Sequence, residues 1–143
     1  MSTPTRDFTW VQGADLTLNF VYKEGDDPET ATPVDLTDYQ LRMDVVSQDV
    51  PPVRIVTLNS DDITDGDVDD VGSADNEATL GADGSIAITI SRALTLEGGP
   101  IYDQMQAFAF TFKYDIFLRD GDGLQHPILK GSITVEPSVT LWA

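Results

Sequence analysis

The chain has no cysteine, which excludes disulfides, thiolate metal sites and cysteine nucleophiles. Histidine occurs once, at His126, so imidazole chemistry has a single candidate. Cations are scarce: 8 Lys and Arg stand against 25 Asp and Glu, a net charge of −17. Nucleic acid and anionic membrane surfaces are both gripped by cationic side chains, so neither is expected as a direct partner. No apolar run approaches the ~20 residues that a membrane-spanning helix needs. The opening Met1-Ser2-Thr3-Pro4-Thr5-Arg6-Asp7 also lacks the basic-then-apolar order of a secretory signal. The expectation is a protein kept in a compartment reached without either device.

Motifs for covalent chemistry are missing as well. There is no Gly-x-Ser-x-Gly elbow and no Cys–His pairing, so nucleophilic hydrolysis has no support. Gly98-Gly99 and Gly121-Asp122-Gly123 lie in turns beside acids, which repel a phosphate rather than cradle it. His126 precedes Pro127 at the mouth of a hairpin, where the expected reading is an exposed turn residue. Carboxylates are abundant, but a carboxylate-based hydrolase needs one of them held protonated in an apolar cleft. These acids fall mostly in polar loops, and the chain is read as no enzyme.

What is present is alternation. At 143 residues the chain makes one ordinary domain, able to bury roughly two-thirds of its unfolded surface. Leu16, Leu18, Phe20 and Tyr22 point one way, with Thr17 and Asn19 between them. Tyr39, Leu41, Met43 and Val45 alternate with Gln40, Arg42 and Asp44. Ile86, Ile88 and Ile90 do the same, and Phe108, Phe110, Phe112, Tyr114, Ile116 and Leu118 form a long stripe. Leu129, Gly131, Ile133 and Val135 follow. A period of two marks strands with one buried face. Val53 to Leu58 reads as a further strand, and Phe8–Val11 and Val139–Trp142 as edge strands. Asp83-Gly84 and Asp120-Gly121-Asp122-Gly123 supply the positive φ of tight turns, and the latter joins Phe108–Arg119 to His126–Val135 as a hairpin. Helical periodicity is confined to one short turn at Ser91–Glu97, stopped by Gly98-Gly99-Pro100.

The pattern predicts an all-β fold, an antiparallel β-sandwich (Ig-like) of about seven to eight strands with one short helical turn. One domain spans 1–143, with a short N-terminal arm at 1–7 and an acidic loop insertion at 59–83. Residues 59–85 hold nine acids (Asp61, Asp62, Asp65, Asp67, Asp69, Asp70, Asp75, Glu77, Asp83) and no base, about half of the net charge. Asp65, Asp67 and Asp69 are spaced like the first three ligands of a calcium loop. The sixth position, however, is Asp70 where glycine is needed, and the twelfth is Asn76, with Glu77 one step late. Calcium held by Asp65, Asp67 and Asp69 and a solvated acidic loop both remain open, as does electrostatic steering of a basic partner. No other cofactor is implied.

Three residues are candidates for an interface. Trp142 and Leu141 sit at the C-terminal end of the sequence, where Trp142 either folds back over its own sheet or anchors in a neighbour. Phe117 falls on the polar side of its strand beside Lys113 and Asp115.

The run Trp10-Val11-Gln12-Gly13-Ala14-Asp15-Leu16, followed by Pro33-Val34-Asp35-Leu36-Thr37-Asp38-Tyr39-Gln40-Leu41-Arg42-Met43, resembles the opening of small structural proteins of tailed-phage particles. Asp83, Gly84, Ile86, Ile88 and Ile90, and then Gly131-Ser132-Ile133-Thr134-Val135, continue the likeness. It extends to the N-terminal, particle-attached β-sandwich domain of certain baseplate and receptor-binding tail proteins, which such proteins resemble. Asp38 stands where those proteins carry glycine, and the acidic insertion is longer. The resemblance implies a virion protein assembled in the host cytoplasm and built into a tail, baseplate or neck. Its partners would be other virion proteins, as a homo-oligomer or ring, with no catalytic residues. Alternatives are a capsid decoration (cement) protein and, from a different class, a calcium-dependent carbohydrate-binding module.

Overall fold

The computed structural model describes residues 3–24, 29–48, 54–59, 77–106 and 109–138. Among these, ten strands, one 3-10 turn and one α-helix follow in the order β1 (Phe8–Val11), β2 (Leu16–Val21), β3 (Lys23–Glu24), β4 (Thr32–Pro33), β5 (Gln40–Val46), β6 (Arg54–Asn59), β7 (Glu77–Leu80), β8 (Ser85–Ile90), the 3-10 turn Arg92–Thr95, α1 (Pro100–Gln106), β9 (Thr111–Arg119) and β10 (Gln125–Glu136).

The strands make a five-stranded sheet in the order β1-β10-β9-β5-β6, a three-stranded sheet β2-β8-β7, and a two-stranded ribbon β3-β4. The fold is an all-β sandwich of two sheets, antiparallel in all but one strand pair. One pair departs from the expected antiparallel pattern: β1 runs parallel to β10, with Phe8 opposite Ile133 and Trp10 opposite Val135. An edge strand can do this because the long excursion from β1 to β10 lets it enter from either end.

The alternation sorts the side chains. Leu41, Met43 and Val45 of β5, Phe112, Tyr114, Ile116 and Leu118 of β9, and Ile133 and Val135 of β10 all point inward and are buried. Leu16 and Leu18 of β2 and Ile86, Ile88 and Ile90 of β8 meet them from the other sheet. Each such side chain contributes about 1.5–3 kcal/mol when removed from water, which neither sheet could gain alone. Trp10 joins this core at 2% exposure.

The turns follow their glycines. Gly84 has φ +82° and Gly123 φ +86°, each closing a hairpin of the larger architecture. In the first, Gly81 N–H donates to Ser85 O at 2.9 Å and Gly84 N–H to Gly81 O at 3.1 Å.

The helical content differs from expectation. The turn at Arg92–Thr95 is present, capped by the Ser91 side chain, which accepts from Ala93 N–H. Pro100, however, does not stop a helix but starts α1. Proline is well placed at a first helical position, where its missing N–H has no partner to lose. Ile101 and Met105, one turn apart, are buried in the core. The strand expected from Phe108 begins at Thr111 instead. Phe110 packs partly buried against the core ahead of it, and Phe108 lies outside the described residues.

Candidate functional site

The residues that carry the phage resemblance are used up in folding. Trp10 Nε1 donates to Ala14 O at 2.7 Å, closing the turn that Gly13 makes at φ +85°. Buried Gln12 donates through Nε2 to Thr95 O at 3.0 Å and accepts through Oε1 from Ser138 N–H at 3.1 Å. Gly13 N–H donates to Thr95 Oγ1 at 3.0 Å, and Asp15 Oδ1 accepts from Arg92 N–H at 2.8 Å. The segment thus clamps the 3-10 turn to the start of β2. Asp35 accepts from the Thr37 N–H and hydroxyl, holding the turn that drops Leu36, 0% exposed, into the core. These hydrogen bonds hold the Asp35 carboxyl below the usual carboxylate range. All of this is scaffold.

Asp120 is scaffold too. Its Oδ1 accepts from Asp122 N–H at 2.9 Å and Leu124 N–H at 3.0 Å, while Oδ2 meets His126 Nε2 at 2.9 Å. His126 therefore lies not in the turn, as expected, but at the start of β10, where its ring braces the β9–β10 hairpin. The His126 hydrogen bond, ahead of the two backbone donors, lowers the Asp120 carboxyl from its ordinary value. Asp35, Asp38, Asp120 and Asp122 surround one depression at this end of the sandwich. Among the described residues no three acidic or imidazole side chains converge as a metal ion would need.

The outer face of the five-stranded sheet is different. Its registers lay β5, β9 and β10 side by side in four rows: Gln40–Arg119–Gln125, Arg42–Phe117–Pro127, Asp44–Asp115–Lys130 and Val46–Lys113–Ser132. Phe117 is half-buried at the middle of this face. Arg42, Lys113, Arg119 and Lys130 place here four of the chain's 8 cations. Only two of its 25 acids, Asp44 and Asp115, stand in the same rows.

Asp44 is fixed from two sides. Arg42 Nε lies 3.3 Å from its Oδ2, and the buried Thr57 hydroxyl donates to Oδ1 at 2.7 Å. Asp115, across from it, has its carboxyl pushed up by partial burial first and by the Asp44 charge second, with Arg42 pulling the other way. A depression of about 310 Å³ opens between Arg42, Asp44, Asp115, Phe117 and Arg119, floored by Leu41 and Leu118. A second one, about 500 Å³, adjoins it at Asp44 and Asp115 and reaches Lys113, Lys130 and Asp7.

No family model matches the chain, and no curated protein matches it. Among solved structures, two chains described as a marsupial T cell receptor align over 93% and 91% of this chain and 50% of each receptor chain, at 14% and 16% identity and a TM-score of 0.48 in both. The chain spans half the length of those two receptor chains.

Of the residues singled out by sequence, Phe117 falls on the outer face just described. Trp142 and Leu141 lie outside the described residues, and so do Asp65, Asp67 and Asp69. Sequence reading did not group Arg42, Arg119, Lys113 and Lys130 as one candidate surface. Their signal was there, since all four occupy the polar phase of an alternating strand. Seeing them as one patch requires knowing that β5 pairs with β9 although β6, β7 and β8 intervene in the chain.

Proposed function

We propose that the chain is a non-catalytic structural or adaptor protein of a phage virion, placed in the tail, baseplate or neck, and that it acts by binding other proteins. The observation that carries the binding half of this reading is the outer face of β5, β9 and β10. An aromatic side chain flanked by arginines is the composition that dominates binding energy at protein interfaces. The Arg42–Phe117–Pro127 row with Arg119 beside it supplies that composition on three paired strands. A surface preformed by strand pairing loses little conformational entropy on docking.

The virion half rests on the sequence resemblance. Its motif residues, Trp10, Gln12, Gly13, Asp35, Leu36 and Thr37, are the brackets that close this sandwich. That is how a signature would persist in a protein selected for shape rather than for a reaction.

Mass spectrometry of purified particles tests the reading. The chain is expected among the virion proteins, and Phe117→Asp, which puts a charge at the centre of the face, is expected to be depleted from particles while still folding. Absence of the wild-type chain from particles would overturn the address, and full incorporation of Phe117→Asp would overturn the face.

A further inference from the structure

We infer that the depression beside Phe117 takes the ring of a tryptophan or tyrosine side chain presented by a partner protein, with the ring's N–H or O–H donated to Asp115. The inference rests on the proposed reading of this face as a protein-binding surface, and it names what that surface binds.

The face as a whole favours neither sign of charge. Arg42, Lys113, Arg119 and Lys130 are matched by Asp44, Asp115, Glu136 and Asp7, whose carboxylate accepts from Ser132 N–H. Attraction of a charged partner is therefore not the basis of recognition. The depression of about 310 Å³ offers instead a fixed order of groups around one aromatic ring. Arg42 of β5 stands opposite Phe117, Arg119 follows Phe117 along β9, and Asp115 precedes it, with Asp44 opposite Asp115. Alternate residues of a strand are about 7 Å apart. A ring laid against Phe117 thus has a guanidinium toward one end and a carboxylate toward the other.

Simpler occupants each meet an obstacle. A carboxylate that reached Arg42 and Arg119 would lie beside Asp44 and Asp115, and an ammonium that reached the acids would lie beside the arginines. An aliphatic side chain would cover Phe117 but desolvate Asp115 without giving it a donor. An aromatic ring carries negative charge density on its face and positive at its edge. Its face suits the guanidinium groups, which stack on aromatics, and its edge or offset face suits Phe117.

The donor is the second requirement. Asp44 is already held by Arg42 and the Thr57 hydroxyl, whereas no described residue donates a hydrogen bond to the Asp115 carboxylate. Arg119 makes no ion pair with a described residue either. Phenylalanine would supply the ring without the donor; tryptophan and tyrosine supply both. These two residue types, with arginine, carry most of the energy of protein interfaces and tend to meet one another across them.

NMR titration of the full chain with N-acetyltryptophanamide, N-acetyltyrosinamide, N-acetylphenylalaninamide and N-acetylleucinamide tests the inference. Saturable shifts at Arg42, Phe117 and Arg119 are expected with the first two amides. The phenylalanine amide should bind roughly fivefold more weakly for want of the hydrogen bond, and the leucine amide should give no saturable shift. Arg119→Gln should weaken the tryptophan amide roughly threefold, and Phe117→Ala by at least as much. Asp115→Asn should abolish the preference for tryptophan over phenylalanine while the ring still binds. Amide dispersion in the same spectra checks that each variant folds. Shifts that do not saturate or that centre elsewhere, equal binding of the leucine amide, or a preference that survives Asp115→Asn would overturn the inference. Depletion of Phe117→Asp from particles together with such a result would sink this occupant and leave the face standing. Absence of the wild-type chain from particles would sink the virion address alone.

Discussion

Asp44 of β5 and Asp115 of β9 stand directly opposite one another on the outer sheet face. Like charges in that relation cost a few tenths to about 1 kcal/mol, and here solvent screening keeps the cost near the lower end. Asp115→Asn is therefore expected to raise the urea midpoint at neutral pH. Because partial burial and then Asp44 raise the Asp115 carboxyl, the folded chain holds that proton to a higher pH than the unfolded chain does. Wild-type stability then rises as pH falls through the raised folded value toward the ordinary one. The advantage of Asp115→Asn should fade over that acidic window. An advantage that stays constant with pH would contradict the assignment.

The Tyr114 hydroxyl, buried under the five-stranded sheet, donates to Arg6 O at 2.6 Å. It ties down the arm that also exchanges Arg6 N–H to Lys130 O at 2.8 Å and Lys130 N–H to Pro4 O at 3.1 Å. Tyr114→Phe keeps the ring and removes the donor, at an expected cost of about 1 kcal/mol. Hydrogen exchange at Arg6 should quicken. Burial pushes the Tyr114 phenol up to about 12 from 10.0, so between those values the unfolded chain has lost a proton that the folded chain keeps. Stability should fall as pH rises through that window in wild type. The fall should be smaller in Tyr114→Phe, and an identical alkaline decline in both proteins would count against the buried hydroxyl.

Gly131 is needed for close approach. A Cβ there would lie 2.0 Å from Arg6 O, so Gly131→Ala must push the arm off β10. Overpacking of this kind costs about 1–3 kcal/mol. Thermal unfolding should show the loss, and limited proteolysis should cut the arm faster. Combining it with Tyr114→Phe should give less than the sum, because both changes release the same segment. Additive losses would show that the two residues hold different things.

The β9–β10 hairpin depends on one carboxylate. Since its hydrogen bonds, that of His126 foremost, lower the Asp120 carboxyl, the stability it contributes is present above the unfolded carboxylate value. That stability is lost as pH falls through the lower folded value. Asp120→Asn should be less stable than wild type at neutral pH and should show a flatter acid limb. Equal acid limbs in the two proteins would remove Asp120 from this role.

Much of the fold was legible because burial on one face imposes a period of two on the sequence. The inward residues of β5, β8 and β9 follow directly from it. α1 was missed because Pro100 was read as a stop, although proline also starts helices. The seven residues Pro100–Gln106 are too few for a periodic signal of their own. The parallel entry of β1 was hidden because alternation says which way a side chain points but not which neighbour its strand joins. For the same reason Phe117 could be flagged singly, whereas its grouping with Arg42, Arg119, Lys113 and Lys130 depends on pairings between strands distant in sequence. His126 was misread because its bond to Asp120 spans the hairpin turn.

On the proposed reading, the face around Phe117 is covered when the protein is at work. Hydrogen–deuterium exchange comparing the isolated chain with the chain in its assembled state measures this, read at β9 and its flanking strands. Slowed exchange across Lys113–Arg119 and at Arg42 on assembly, with β2 and β8 unchanged, is the predicted result. Unchanged exchange at Lys113–Arg119, with protection appearing on β2 and β8 instead, would contradict it.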